Sequence, residues 1–141
     1  MIKIYTDGSC LTNPGNGGWA AIINQDGEIN RMSGSEKNTT NNKMEMTAAI
    51  KALEYFTNSS NIQLTTDSNY VKDGIESWIE GWKRNGWKTA SKKSVKNKEL
   101  WVRLDDLNNF HNISWKWVKG HSGHRENEIA DLLANKGIDE L

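Results

Sequence analysis

Two aspartates stand where strands are expected to end. Asp7 follows the alternating segment Ile2-Lys3-Ile4-Tyr5, and Asp67 follows Ile62-Gln63-Leu64-Thr65-Thr66. Sheets of α/β type hold ligands near the carboxyl ends of their strands, which is where both acids fall. An Asp after a strand is by itself most often a turn or cap residue, and spacing alone does not select a catalytic set from 18 acids. A second chemically loaded stretch is cationic. Lys83, Arg84, Lys88, Lys92, Lys93, Lys96 and Lys98 follow one another without a single Asp or Glu between Lys83 and Lys98. Trp82 and Trp87 are interleaved with these cations and Trp78 lies just upstream. Indoles of this kind stack on sugars and bases while the cations neutralise phosphates. Packing against the core accounts for one or two of the three indoles, and a run of lysines is otherwise a solvated face. Nothing beside Cys10 marks it as a nucleophile.

Periodicity names the elements that must position these residues. Ile2 and Ile4 alternate as in a strand. Trp19 to Ile23 and Glu28 to Ser33 read as two further strands joined through Gln25-Asp26-Gly27, and Asp-Gly is a strong hairpin signal. From about Asn41 to Phe56 the apolar residues Met46, Ala49, Ile50, Leu53 and Phe56 recur at helical spacing. A short strand over residues 62–66 and a helix through Val71 and Ile75 follow. A helix over roughly Lys98 to Phe110 and a strand at Ile113, Trp115 and Trp117 come next. The last helix spans about Arg125 to Lys136, with Gly137 placed to cap it. Trp19, Trp101, Trp115 and Trp117 sit in apolar periodic segments and are expected in the core. A meander followed by strand, helices, strand and helix predicts a mixed five-stranded sheet with helices on its faces, an α/β domain.

Composition bounds the reading. The chain has 141 residues, 35% of them hydrophobic and 26% charged, with a mean hydropathy of −0.77. This fits one domain spanning residues 1–141. One cysteine allows no intrachain disulfide and fits a reducing compartment. No apolar run approaches the roughly 18 residues of a membrane span, and the N-terminus lacks the apolar region of a secretion signal, so the expected location is the cytoplasm. The 18 basic and 18 acidic residues cancel, and a pI near 6.8 argues on its face against nucleic acid. Position reverses that inference. Outside the cationic segment the chain holds 11 basic and 18 acidic residues, so a +7 segment is joined to a −7 body.

Five ordered motifs carry a resemblance. Asp7-Gly8-Ser9, Thr40-Asn41-Asn42-Lys43-Met44-Glu45, Thr66-Asp67-Ser68, the segment from Trp117 to His124, and Asn127 to Asp131 together resemble type 1 ribonuclease H of the bacterial kind. The match runs from Ile2 to about Gly137 and includes the basic segment. The resemblance implies the ribonuclease H-like fold with strand order 3-2-1-4-5. It also implies hydrolysis of the RNA strand of an RNA/DNA hybrid, leaving 5′-phosphate and 3′-hydroxyl ends. The cofactor it implies is Mg²⁺, two ions per active site, with Mn²⁺ as a substitute. It carries the family's metal-binding acids onto Asp7, Glu45, Asp67 and Asp131, with Asp7 expected to bridge both ions, and assigns His121 to the attacking water or to product release.

For the substrate, the resemblance points to Asn13, Asn41, Asn42, Glu45 and Asn69 on the RNA side and to Thr40 at a DNA-strand phosphate. The basic segment, about residues 78–98, resembles the family's handle, with Trp78 touching the DNA strand and Trp82, Lys83, Arg84, Trp87, Lys88, Lys92, Lys93, Lys96 and Lys98 completing the grip. Thr12 departs from the pattern, standing where close relatives often have glycine. A monomer without an obligate protein partner is expected, and the lack of an N-terminal hybrid-binding domain predicts modest processivity.

The chemistry explains these residue types. In-line cleavage of a phosphodiester needs an activated water and stabilisation of the departing oxygen, which two divalent ions about 4 Å apart serve at both ends. Mg²⁺ demands oxygen ligands in octahedral geometry, which carboxylates and water supply. Four converging carboxylates repel one another until metal arrives. A noncatalytic hybrid-binding module has no reason to hold them together, whereas a DNA-cutting two-metal enzyme would use the same chemistry without the compact length and basic handle. His124 is expected to cap the final helix, and His111 has no evident role in the sequence.

Overall fold

The computed structural model describes residues 1–89 and 91–119. The expected final helix, with His121, His124 and Asp131, lies outside the described residues. Three strands open the chain: β1 (Ile2–Cys10), β2 (Gly15–Gln25) and β3 (Glu28–Thr39). They are followed by α1 (Asn41–Glu54) and β4 (Asn61–Thr66). A helical run then comprises α2 (Asn69–Asp73), a π-helical turn (Gly74–Trp78) and α3 (Ile79–Arg84), before α4 (Lys98–Phe110) and β5 (Asn112–Trp117). The sheet order is β3-β2-β1-β4-β5. The meander is antiparallel, and β4 runs parallel to both β1 and β5. This is the mixed sheet and strand order expected.

The hairpin between β2 and β3 turns through Asp26 at φ 54° and Gly27 at φ 93°, the double positive φ that a two-residue turn requires for its twist to match the strands. Both strands are longer than their hydrophobic patterns. β2 begins at Gly15 rather than Trp19, and β3 runs to Thr39 rather than Ser33. Glycines at 15, 17 and 18 read locally as loop, but a side chain at Gly17 would collide with Thr39 and Met44, and one at Gly34 with the Trp19 ring. Close packing therefore requires glycine inside these strands.

α1 starts where Thr40 accepts a hydrogen bond from the Lys43 amide through its side-chain oxygen at 3.2 Å, a standard N-cap. It ends at Glu54, two residues before Phe56. The helix packs on β1, β2 and α4. Ile4, Ile23, Leu53, Leu64, Trp101 and Leu104 are among the buried residues of the resulting core. A fully buried side chain of this size contributes about 1.5–3 kcal/mol. Gly74 lies so close to the Trp101 ring that any Cβ there would overlap it. The helix expected through Val71 and Ile75 does form, and it continues through the π turn into Arg84.

Two expectations about side chains change. Trp19 and Trp101 are buried as expected, but Trp115 and Trp117 are only half-buried, stacked with ring centroids 5.4 Å apart. Strand alternation puts both on one face of β5, and each indole N–H needs an acceptor. They donate to Asn108 Oδ1 and Glu76 Oε1 respectively. His111, without a role in the sequence, is a buried pin. Its Nδ1 accepts from the Ser60 amide at 3.1 Å. Nε2 lies 3.1 Å from the Leu53 carbonyl and donates to it in the matching tautomer. The ring thereby ties the ends of α1 and α4 to the start of β4.

Candidate functional site

The parallel pairing of Ile2 to Tyr5 with Ile62 to Thr65 sends β1 and β4 out of the sheet in the same direction. Asp7 lies beyond the part of β1 that pairs with β4, and Asp67 follows the last residue of β4. Glu45 arrives from the N-terminal part of α1, which lies directly against β1 at Gly8. A Cβ on Gly8 would overlap the Met44–Glu45 backbone. The glycine after Asp7 is thus what lets a helix approach closely enough to add a third carboxylate. Ligand oxygens of Asp7, Glu45 and Asp67 all lie within 4.8 Å of one another.

Asp7 is 5% exposed, while Glu45 and Asp67 are half-buried. Burial pushes the Glu45 carboxyl well above its ordinary value, helped by the charges of Asp7 and Asp67 and a hydrogen bond with Asp7, against a smaller opposing bond from the Gly8 backbone. Its Oε2 is buried with no hydrogen-bond partner among the described residues. A set of three carboxylates, one with an orphaned oxygen, fits a hard divalent cation, which would neutralise the repulsion and occupy the open oxygen. Asp131 and His121 belong to the residues not described.

Two of the residues expected on the RNA side, Asn13 and Asn41, are in contact. Asn13 Oδ1 accepts from the Asn41 amide at 3.2 Å, tying the loop after β1 to the start of α1, where Asn41 is exposed and Asn42 half-buried. Thr12, the departure from the family pattern, donates its hydroxyl to the Pro14 carbonyl at 2.9 Å and so stiffens that loop from within. Cys10 Sγ lies 2.8 Å from the Thr12 carbonyl and 3.4 Å from those of Gly15 and Thr39. Thr40 is occupied as the α1 cap. Asn69 opens α2 and lines, with Asp67, Lys72, Trp117, Val118 and Lys119, a cleft of about 270 Å³. Lys72 and Lys119 are cations the sequence did not single out. The available signal was position: Lys72 lies one helical turn from Asn69, and Lys119 sits inside the motif that begins at Trp117.

The basic segment is built on an aromatic ladder. Trp78 is 36% exposed, whereas Trp82 and Trp87 are half-buried against the core. Ring centroids are 5.7 Å apart for Trp78 and Trp82, 5.6 Å for Trp82 and Trp101 and 6.3 Å for Trp82 and Trp87. Tyr70 Oη accepts from Trp101 Nε1 at 3.1 Å and from Asn97 Nδ2 at 3.2 Å. Tyr70, Trp78, Trp82, Thr89, Val95 and Lys96 line a groove of about 360 Å³. Beyond it the chain folds back on itself, Thr89 donating its amide to the Lys93 carbonyl at 2.8 Å and Val95 to that of Trp87 at 3.3 Å. Arg84, Lys88, Lys92, Lys93, Lys96 and Lys98 are exposed. Lys83 is exposed too, its side chain 39% so, but it is paired: its Nζ lies 3.3 Å from Asp105 Oδ2.

Carboxylates converging at the carboxyl edge of a 3-2-1-4-5 sheet, in a chain that also carries a cationic aromatic segment, define a metal-dependent nuclease of ribonuclease H-like fold. The RNase H family model matches residues 1–139. The ribonuclease H of Halorhodospira halophila is 53% identical over 141 residues, covering 100% of this chain and 95% of its own. That of Francisella tularensis subsp. novicida is 57% identical over 137 residues, covering 97% and 90%. Among solved structures, LC9-RNase H1, described as a type 1 RNase H with the type 2 active-site motif, superposes with a TM-score of 0.86 at 33% identity, over 99% of this chain and 72% of its own. LC11-RNase H1, solved in complex with an RNA/DNA hybrid, shares the fold with a TM-score of 0.75 at 24% identity, over 99% and 98%. The chain belongs to the ribonuclease H family, endoribonucleases that hydrolyse RNA in RNA/DNA hybrids.

Proposed function

We propose that residues 1–141 act as one catalytic domain, monomeric and cytoplasmic, that cuts the RNA strand of a hybrid to 5′-phosphate and 3′-hydroxyl ends. The observation that carries this reading is the convergence of the Asp7, Glu45 and Asp67 oxygens within 4.8 Å. Among the described residues no helix is long and apolar enough to cross a membrane. Asp7, Glu45, Asp67 and Asp131 would hold two Mg²⁺ ions, with Mn²⁺ able to substitute. When bound, the ions supply activation of water and stabilisation of charge on the departing 3′-oxygen.

The chain's own residues do the rest. Asp7, on the central strand and nearly solvent-free, anchors the set. Glu45 faces both the metal oxygens and the RNA side, so it joins cleavage to recognition of the 2′-hydroxyl, the group that distinguishes RNA from DNA. Asn13, Asn41, Asn42 and Asn69 supply amide donors and acceptors around that hydroxyl. Asn13 holds its own loop through Oδ1 and therefore presents its NH₂ outward. Thr40 caps α1 and meets a phosphate of the DNA strand. Trp78 offers the exposed ring for the DNA strand, Trp82 and Trp87 support it, and Arg84, Lys88, Lys92, Lys93, Lys96 and Lys98 neutralise phosphates. His121 passes a proton to or from water, so His121→Ala slows turnover without abolishing it.

One gel tests the reading: a labelled RNA strand alone, in duplex RNA and in a hybrid, each with Mg²⁺ and with chelator. Cleavage of the hybrid alone, and only with Mg²⁺, is expected. Equal cleavage of duplex RNA, or cleavage in chelator, overturns it.

A further inference from the structure

The seven cations between Lys83 and Lys98 are not equivalent. Six of them are exposed without an ion-pair partner among the described residues. Lys83 reaches across to α4, where Asp105 is only 9% exposed, on the same buried stripe as Trp101 and Leu104. An acid on the core side of a helix must be paired, because an ionised carboxylate removed from water without a partner is strongly disfavoured. Among the described residues Lys83 is the only partner of that carboxylate. Glu80, one turn back on the same helix, is a weaker contact at 3.9 Å.

The pair joins two elements that little else of a directional kind connects. α3 has six residues, too few to hold its own shape without tertiary support. Its one indole, Trp82, and the neighbouring Trp78 rest on Trp101 through ring contacts, which favour proximity but tolerate sliding. Lys83 to Asp105 is the one ion pair from α3 to α4 among the described residues. α3 carries Trp82 and borders Trp78, so its setting on α4 decides where the aromatic groove stands relative to the carboxylates. If Lys83 swung out to a phosphate, it would leave Asp105 buried, unpaired and facing a polyanion. A neutralised pair also has no counterion to release when nucleic acid binds.

We propose that Lys83 is a positioning residue for the hybrid reaction: bound to Asp105, it fixes the aromatic groove against α4 and makes no phosphate contact. Its effect on substrate rests on the hybrid-binding reading above. The full chain is titrated with a fluorescent RNA/DNA hybrid across a potassium chloride series, and backbone amide exchange at Asn85 and Trp87 is followed in the free protein. Lys83→Gln and Asp105→Asn are each expected to weaken binding roughly threefold or more, with the slope of log affinity against log salt unchanged. The double variant is expected to be no weaker than either single one. Both singles are expected to speed exchange of the Asn85 and Trp87 amides, which bond back to Gly81 and Trp82, while Lys83→Arg keeps native exchange and slope. A slope shallower by about 0.9 in Lys83→Gln, or tighter binding in Asp105→Asn, overturns the proposal. Unchanged exchange in both singles also overturns it. Failure of the unmodified chain to bind hybrid would instead count against the functional reading, and the exchange result would still decide the positioning role.

Discussion

The acid cluster and the basic handle are the two working regions of this molecule, and they are built on opposite principles. Asp7, Glu45 and Asp67 come from β1, α1 and the end of β4, elements whose other residues form the core. Their backbones are set by β1, by the end of β4 and by a helix packed on the sheet. The handle is peripheral, a short helix and a turn that uses left-handed backbone at Gly86, Trp87, Lys92 and Asn97, with its charges in solvent. Catalytic geometry must be fixed to a fraction of an ångström, so it is placed where the core enforces it. Grip on a regular polyanion tolerates variation at each phosphate, so it suits a segment held by a few rings and one ion pair.

The contrast can be broken by substitution. Asp7→Asn or Asp67→Asn removes charge from the cluster and should lower hybrid cleavage on the order of a thousandfold or more with little change in hybrid affinity. Near-normal Mg²⁺-dependent cleavage by Asp7→Asn would show that the cluster is not the reaction centre. Gly8→Ala deletes no carboxylate but forces α1, and Glu45 with it, away from β1. A displacement near 1 Å should reduce kcat by about a hundredfold, measurable in single-turnover cleavage, and retention of full activity would mean that the close approach does not set the geometry.

Handle substitutions should behave differently. Neutralising Lys92, Lys93, Lys96 and Lys98 together should leave single-turnover cleavage at saturating hybrid nearly intact, while the salt slope of binding flattens by up to about 0.9 for each phosphate that the handle no longer neutralises. An unaltered slope would make this face a solvated surface only.

The smallest effect concerns stability. Because Glu45 holds its proton to a higher pH in the folded chain than the ordinary value of 4.5, the folded state binds more protons above that pH. Metal-free stability should therefore fall as pH rises from about 4.5 through the elevated folded value. Glu45→Gln should abolish that fall and raise the melting temperature of the metal-free protein near neutral pH. A melting curve with the same pH dependence in both proteins would show that burial and the neighbouring charges do not raise the Glu45 carboxyl.

Much of this architecture is legible along the chain. The hairpin at Asp26-Gly27, the start of α1 at Asn41 and the span of α4 follow from local turn chemistry and helical spacing. What escapes such reading depends on contacts between distant segments. The glycine-rich start of β2 becomes strand because Thr39 and Met44 press against Gly17. His111 and Asp105 look like ordinary polar residues until Ser60, Leu53 and Lys83 are brought to them. For the site, Asp7 and Asp67 are visible as strand-end acids, but Glu45 differs in no local respect from other helical glutamates and is recovered only through the ordered motif that contains it.

The sequence by itself determined the elements, the division of charge into a basic segment and an acidic body, and the family, because all of these reside in local pattern and ordered motifs. Only the tertiary structure decided that three particular carboxylates meet, that one has an orphaned oxygen, and that one of seven cations belongs to the scaffold. Convergence, burial and pairing are properties of segments brought together across the fold, and neither composition nor spacing contains them.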